Sequence, residues 1–264
     1  MPYASAGNAR IYYEIHGRPV GAAEAIVFAH GLGGNHLSWW QQVPHVRDRY
    51  TCVVFDHRGF GQSVDAPDGP GAAAYADDLR CLLDELGIET ATLVAQSMGG
   101  WTCVQFALRW PERVRRLMLC DTTGGLTSDE IERVAWDVLK ASAPPPDGVH
   151  PAAGERMLRE QPGLHFLYTE IAALTPMTPE GRRAIMQAAG ATPIAEAARL
   201  RMPVQFVWGE EDIVIPIAAL DAMAPHFTGA GGVRVARIAE AGHSVYFERP
   251  DAFNAVLDAF LAET

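Results

Sequence analysis

From Ala25 to Leu119 two patterns alternate along the chain. Short, unbroken apolar runs rich in valine and leucine (AIVFA, TCVVF, TLVA, VRRLML) are separated by stretches of helical period such as AAAYADDLRCLLDELG and GGWTCVQFALRW. A strand buried on both faces reads as a continuous apolar run, so this alternation predicts an α/β fold with a mostly parallel sheet between helices. Ahead of it, NARIYYEIHG alternates apolar and polar residues and predicts an antiparallel edge strand. The pattern resumes near Pro203 with VQFVW, a helix from about Pro216, the strand VRVARI and a closing helix within VYFERPDAFNAVLDAFLAET.

Between Asp121 and Met202 only helical periods occur, divided by proline-rich turns such as APPPDG and LTPMTPEG. This reads as a helical cap inserted into the core, giving core segments 1–124 and 201–264 around a cap at 125–200. Its first helix is marked by a capping box, Thr127 with Glu130, and by an apolar stripe at Ile131, Val134, Ala135, Val138 and Leu139. Later cap helices are expected to start at Pro179 and Pro193, each after a threonine cap, because proline at the first helical position loses no hydrogen bond.

Composition narrows the function. The 264 residues carry 32 acidic against 21 basic side chains, a net charge of -11, which argues against a nucleic-acid surface. Lys140 is the only lysine and lies outside any Schiff-base or P-loop context. No window approaches the roughly 18 apolar residues of a membrane span. The amino terminus lacks a signal-peptide pattern, so the expectation is a soluble, cytoplasmic protein, monomer or homodimer, with no membrane partner. Cys52, Cys81, Cys103 and Cys120 form no C-x-x-C pair and read as reduced core cysteines.

Within LVAQSMGGW, Ser97 follows a buried strand directly and opens a helix. Such a turn strains the backbone of its central residue and requires small neighbours two positions away on either side, here Ala95 and Gly99. The helix N-terminus favours negative charge developing nearby. By itself Ser97 could equally be a helix N-cap. Two other strand-to-helix junctions add weight: Asp212 in VQFVWGEEDIVIP and His243 in AGHSVYFERP. Both are expected on the same sheet rim as Ser97, where an imidazole could take the hydroxyl proton and a carboxylate could hold the imidazole. Glu210, Glu211 and Asp121 compete for the acid role. In AIVFAHGLGGNHLSWW the glycine-rich loop after a buried strand could turn the N–H of Leu32 inward beside that of Met98 as an oxyanion hole, with His30 and Gly31 shaping the loop.

In order and spacing, HGLGG, DHRGFGQS, AQSMGGW, WGEEDIVIP and AGHSVYFERPDAFN resemble the α/β-hydrolase superfamily over nearly the whole chain. The combination is similar to its small bacterial esterases, enol-lactonases and carbon–carbon bond hydrolases. The carbon–carbon bond hydrolases usually have a glycine-proline-glycine oxyanion loop and an aromatic residue after the catalytic histidine; HGLGGN and His243-Ser244 depart from both and shift the reading toward esters and lactones. Cofactor-free perhydrolases and haloperoxidases share the SMGG elbow but usually lack a long cap. Slow-turnover small-molecule receptors on this fold are a further alternative. The resemblance gives DHRGFGQS a structural role and implies an elbow at AQSMG, with alanine for its usual first glycine.

The expected activity is hydrolysis of a small, largely apolar carboxylic ester or lactone by Ser97, His243 and Asp212, with no metal or organic cofactor required. The remaining histidines show no metal-ligand spacing. The pocket is expected between cap and rim, with Trp39, Trp40, Trp101, Trp136, Phe166, Tyr168 and Tyr246 as candidate lining residues; no inward-facing cation cluster is evident, although Arg182 and Arg183 in the cap leave an anionic substrate open.

Overall fold

The computed structural model of the protein describes residues 2–141 and 147–262. In chain order the regular elements are β1 (Tyr3–Ala6), β2 (Ala9–Gly17), β3 (Ala25–Ala29), α1 (Gln42–Val46), β4 (Thr51–Phe55), α2 (Tyr75–Glu85), β5 (Ala91–Gln96), α3 (Met98–Arg109) and β6 (Val114–Cys120). They continue with β7 (Leu126–Thr127), α4 (Asp129–Ala141), α5 (Gly154–Glu160), α6 (Pro162–Ala173), α7 (Pro179–Ala189), β8 (Thr192–Pro193), β9 (Val204–Gly209), α8 (Ile217–Met223), β10 (Val233–Ile238), α9 (Val245–Glu248) and α10 (Pro250–Leu261).

Eight strands form one sheet in the order β1-β2-β4-β3-β5-β6-β9-β10. The pairs from β4 to β10 are parallel, and β2 joins β4 antiparallel. Side chains alternate across the central strands, so Ala29, Leu93, Ala95, Leu119 and Phe206 enter one helix-covered layer while Phe28, Val94, Met118, Cys120 and Val207 enter the other. Each fully buried Val, Leu, Met or Phe contributes about 1.5–3 kcal/mol of apolar transfer. This double burial is why the runs in the sequence show no polar alternation. No helix among the described residues is long and apolar enough to cross a membrane.

Three expectations need correction. NARIYYEIHG is not the edge: β1 pairs outside β2 through a two-residue turn at Gly7-Asn8, with Gly7 at φ +62°. α4 is capped one residue later than expected, by Ser128, whose Oγ accepts from the Ile131 N–H at 3.3 Å; Thr127 Oγ1 instead meets Glu132. Pro193 does not start an α-helix. Its backbone is extended, Thr192-Pro193 pairs with Leu126-Thr127 as β8 against β7, and a 3-10 turn, Ile194–Arg199, follows. That ribbon ties the two ends of the helical segment together. Pro179 does open α7, with Thr178 as its cap. The side chain of Leu139 and most of the APPPDG turn lie outside the described residues.

The helices between Asp121 and Met202 go to different places. α4 packs on α8, with Ile131 buried in the core beneath. α5 and α6 pack together and send Met157 and Ile171 down toward Trp39 and Tyr246. α7 lies on the 3-10 turn at Gly71–Ala74, where Met177 and Ile185 meet Leu32, Met98 and Trp101.

Candidate active site

Parallel strands deliver their following loops to one rim. β5 delivers Ser97 there, β3 the loop of His30 to Gly34, β9 the turn carrying Asp212, and β10 the loop carrying His243. Ser97 sits at φ +48°, ψ -116°, a costly conformation for a residue with a side chain, held by its N–H donating to Cys120 O and its carbonyl accepting from Thr122 Oγ1. The turn has no room to spare: a Cβ on Gly99 would lie 2.2 Å from the backbone oxygen of Ala29, and one on Gly31 would lie 3.2 Å from Ser97 Cβ.

The three segments meet through a chain of hydrogen bonds. Ser97 Oγ lies 2.9 Å from His243 Nε2, and His243 Nδ1 lies 2.8 Å from Asp212 Oδ2. Asp212 is fixed in turn, because its Oδ1 accepts from the N–H groups of Val214 and Ile215 at 2.7 and 2.9 Å. His243 and Asp212 are buried, while Ser97 keeps partial exposure. The competing acids are placed elsewhere. Asp121 is fully buried with its oxygens taken by the Gly209 and Val245 N–H groups, Glu211 pairs with Arg156 on the surface, and Glu210 is exposed. Burial, reinforced by the negative charge of Asp212, raises the Asp121 carboxyl well above the usual carboxylate range.

Two residues the sequence did not single out hold the histidine loop. Glu248 is buried and accepts from the N–H of Gly242 and of Ser244, the two neighbours of His243, at 3.0 and 3.2 Å. Burial pushes its carboxyl up to about 7. Gln96 donates from Nε2 to the carbonyl of His243 at 2.8 Å, linking the Ser97 turn and the histidine loop directly.

On the opposite side, His30 Nδ1 lies 2.8 Å from the carbonyl of Gly31, and its Nε2 accepts from the His57 N–H at 3.1 Å. In a trans peptide the N–H opposes the C=O, so anchoring the Gly31 carbonyl on His30 turns the Leu32 N–H away from that ring. His57 continues the chain to Thr102 on α3 at 2.8 Å. Burial lowers the pKa of both rings, that of His57 further because of its neighbour His30. In the DHRGFGQS segment, Asp56 accepts from the backbone of His36 and Gln62, and Arg58 forms a buried ion pair with Asp78.

A narrow cavity lies between this rim and α6, lined by Gly31, Leu32, Gln96, His150, Tyr168 and Tyr246 among others. It holds about 20 Å³, room for roughly one water. Gly31, Tyr168 and Tyr246, expected near the substrate, line this cavity together with Leu32, but other expected lining residues do not. Trp39 is fully buried beneath the cavity, its ring tilted against those of Tyr246 and Phe28 at centroid distances of 4.4 and 5.2 Å. His30 is buried behind its loop, and Trp101 packs at the seam with α7 beside Met98. Trp136 (58% exposed), Phe166 (65%) and Trp40 (42%) face outward, Trp136 under Lys140. Arg183 pairs with Glu180 on the surface.

The sequence profile of a family described as "alpha/beta hydrolase fold" matches residues 24–250. The chain belongs to the α/β-hydrolase family. This α/β-hydrolase is similar over its full length to the protein named "Putative carbamate hydrolase RutD" of Azorhizobium caulinodans, at 28% identity, covering 100% of this chain and 99% of that one. Among solved structures it is similar to the enol-lactonase from Burkholderia xenovorans LB400, with 27% identity and a TM-score of 0.79 over 99% of this chain and 100% of the other. It is also similar to Est816, an N-acyl homoserine lactone degrading enzyme, with 25% identity and a TM-score of 0.76 over 98% and 100% of the two chains. The family and these relatives make the chain a hydrolase.

Proposed function

We propose that this hydrolase cleaves a small, largely apolar carboxylic ester or lactone through an acyl-enzyme on Ser97. The supporting observation is the chain Ser97 Oγ to His243 Nε2 to His243 Nδ1 to Asp212 Oδ2, at 2.9 and 2.8 Å, on a serine held in a strained turn. Ser97 Oγ attacks the carbonyl carbon while its proton passes to His243 Nε2, and Asp212 steadies the resulting imidazolium. The carbonyl oxygen, now negative, is received by the N–H groups of Leu32 and Met98; the latter opens α3 and has no intrahelical acceptor. His243 returns the proton to the departing alkoxide, which in a lactone stays tethered to the acyl group. Water then attacks the acyl-enzyme by the same route and regenerates Ser97.

The relatives support ester-like carbonyl chemistry, two being lactone-cleaving enzymes and one bearing a carbamate hydrolase name. The test combines fluorophosphonate labelling with a panel of short-chain esters, lactones and carbamates. Labelling and turnover are expected for the wild-type enzyme, and Ser97→Ala should abolish labelling and lower turnover about 10⁴-fold or more. A Ser97→Ala variant that retains near wild-type turnover would overturn the assignment.

A further inference from the structure

One wall of the cavity is polar in a way that ester cleavage does not use. His150, from the loop before α5, lines it, and its Nδ1 accepts from the Ala152 N–H at 3.2 Å. A nitrogen that accepts carries no proton, so the ring hydrogen sits on Nε2, for which no hydrogen-bond partner is present among the described residues. Burial, aided by His165 and Arg182 nearby, holds the ring toward its neutral form, which keeps that tautomer. Tyr168 stands against the same ring, centroids 5.1 Å apart, and also lines the cavity. Its Oη accepts from Ser244 Oγ at 3.0 Å, which leaves the phenolic proton to donate. Two adjacent donors, one nitrogen and one oxygen, thus border a cleft whose other walls are glycines, Ser38 and Gln96 on the rim side and Ile171, Ala172 and Phe247 beside the two donors.

We propose that His150 Nε2–H and Tyr168 Oη–H form an acceptor-binding subsite, and that the acyl part of the substrate carries a ketone oxygen remote from the scissile carbonyl. This rests on the hydrolytic reading above and adds a substrate class to it. An apolar acyl chain would leave both donors buried against carbon, whereas an oxygen acceptor satisfies them. His150 has no counterpart among the motifs of the sequence; only the folded loop brings it over the cavity.

The test compares 4-nitrophenyl esters of 3-, 4- and 5-oxo acids with those of the matching methyl-branched acids, which replace the oxygen by a methyl of similar size. Each kcat/KM is normalised to alkaline hydrolysis. The wild-type enzyme is expected to prefer one of the oxo esters over its methyl partner by about fivefold to tenfold, the usual worth of neutral hydrogen bonds. His150→Phe should collapse that ratio toward one, while His150→Gln, which keeps an N–H donor, should retain more of it. Calorimetric binding of the free oxo and methyl acids to Ser97→Ala, with and without His150→Phe, reads the same ratio without turnover. No preference for any oxo compound, or a preference undiminished in His150→Phe, overturns the subsite. Absence of both fluorophosphonate labelling and ester turnover instead overturns the hydrolytic reading, and the calorimetric ratio still decides the subsite.

Discussion

Glu248 carries a prediction that can be worked through from its surroundings. Its side chain is 2% exposed, its two oxygens each accept one backbone N–H from the residues flanking His243, and burial raises it from about 4.5 to about 7. A raised folded-state pKa means that the native protein keeps the proton while the unfolded chain has lost it. Stability from this group is therefore full below about pH 4.5, falls as pH rises through the interval to about 7, and is level beyond. At about 1.4 kcal/mol per pH decade the loss amounts to roughly 3 kcal/mol.

Glu248→Gln removes the titration but keeps the shape. Its amide can accept one of the two N–H groups and must turn an NH₂ toward the other, which leaves a buried donor unsatisfied at a cost of about 1–3 kcal/mol. Urea unfolding of both proteins at pH 5 and pH 8, extrapolated linearly, gives their stability difference, from which titrations common to both cancel. The wild type should be clearly more stable at pH 5, and its advantage should shrink by about 2–3 kcal/mol at pH 8. An advantage that stays constant within about 0.5 kcal/mol would show that Glu248 does not titrate as its burial requires.

Other substitutions test separate parts of the structure. Trp39→Ala should cost about 3–5 kcal/mol as a core cavity, with KM for short esters little changed, and a selective rise in KM at unaltered stability would return Trp39 to the substrate pocket. Arg58→Ala strands the carboxyl of Asp78, 3% exposed, and should destabilise by about 3–5 kcal/mol in chemical denaturation; a loss below about 1 kcal/mol would contradict a buried pair. Gly99→Ala drives a methyl against the backbone of β3 and should lower Tm and fluorophosphonate labelling together, since the same contact sets both packing and the position of Ser97. Retention of both would mean that the turn is looser than its 2.2 Å approach implies.

What could be read from the chain depended on whether the signal was local. The central strands were legible because double burial writes itself as unbroken apolar runs, and Ser97, Asp212 and His243 because each sits where a strand gives way to a helix. β1 was hidden because its inward residues, Ala4 and Ala6, are too small to register as hydrophobic pattern, although the Gly7-Asn8 turn after it was a usable signal. Trp136 was misplaced against evidence in its own helix. At 100° per residue it lies roughly 140° around from Ile131, off the apolar stripe, and it is exposed as that angle requires. Thr192-Pro193 resembled a helix start, yet pairing with Leu126-Thr127 outweighed local preference.

The residues that hold His243 in place form a separate class of omission. Gln96 and Glu248, and Asp121 that the sequence offered only as a competing acid, act on it through backbone atoms of the 242–245 loop, and a backbone N–H or carbonyl has no letter in the sequence. Their polarity in otherwise apolar contexts was the only trace available, since a buried polar side chain must find a partner. The side chains at the three strand-to-helix junctions are thus announced by their positions, whereas the groups that fix their angles become visible only when the loops close around them.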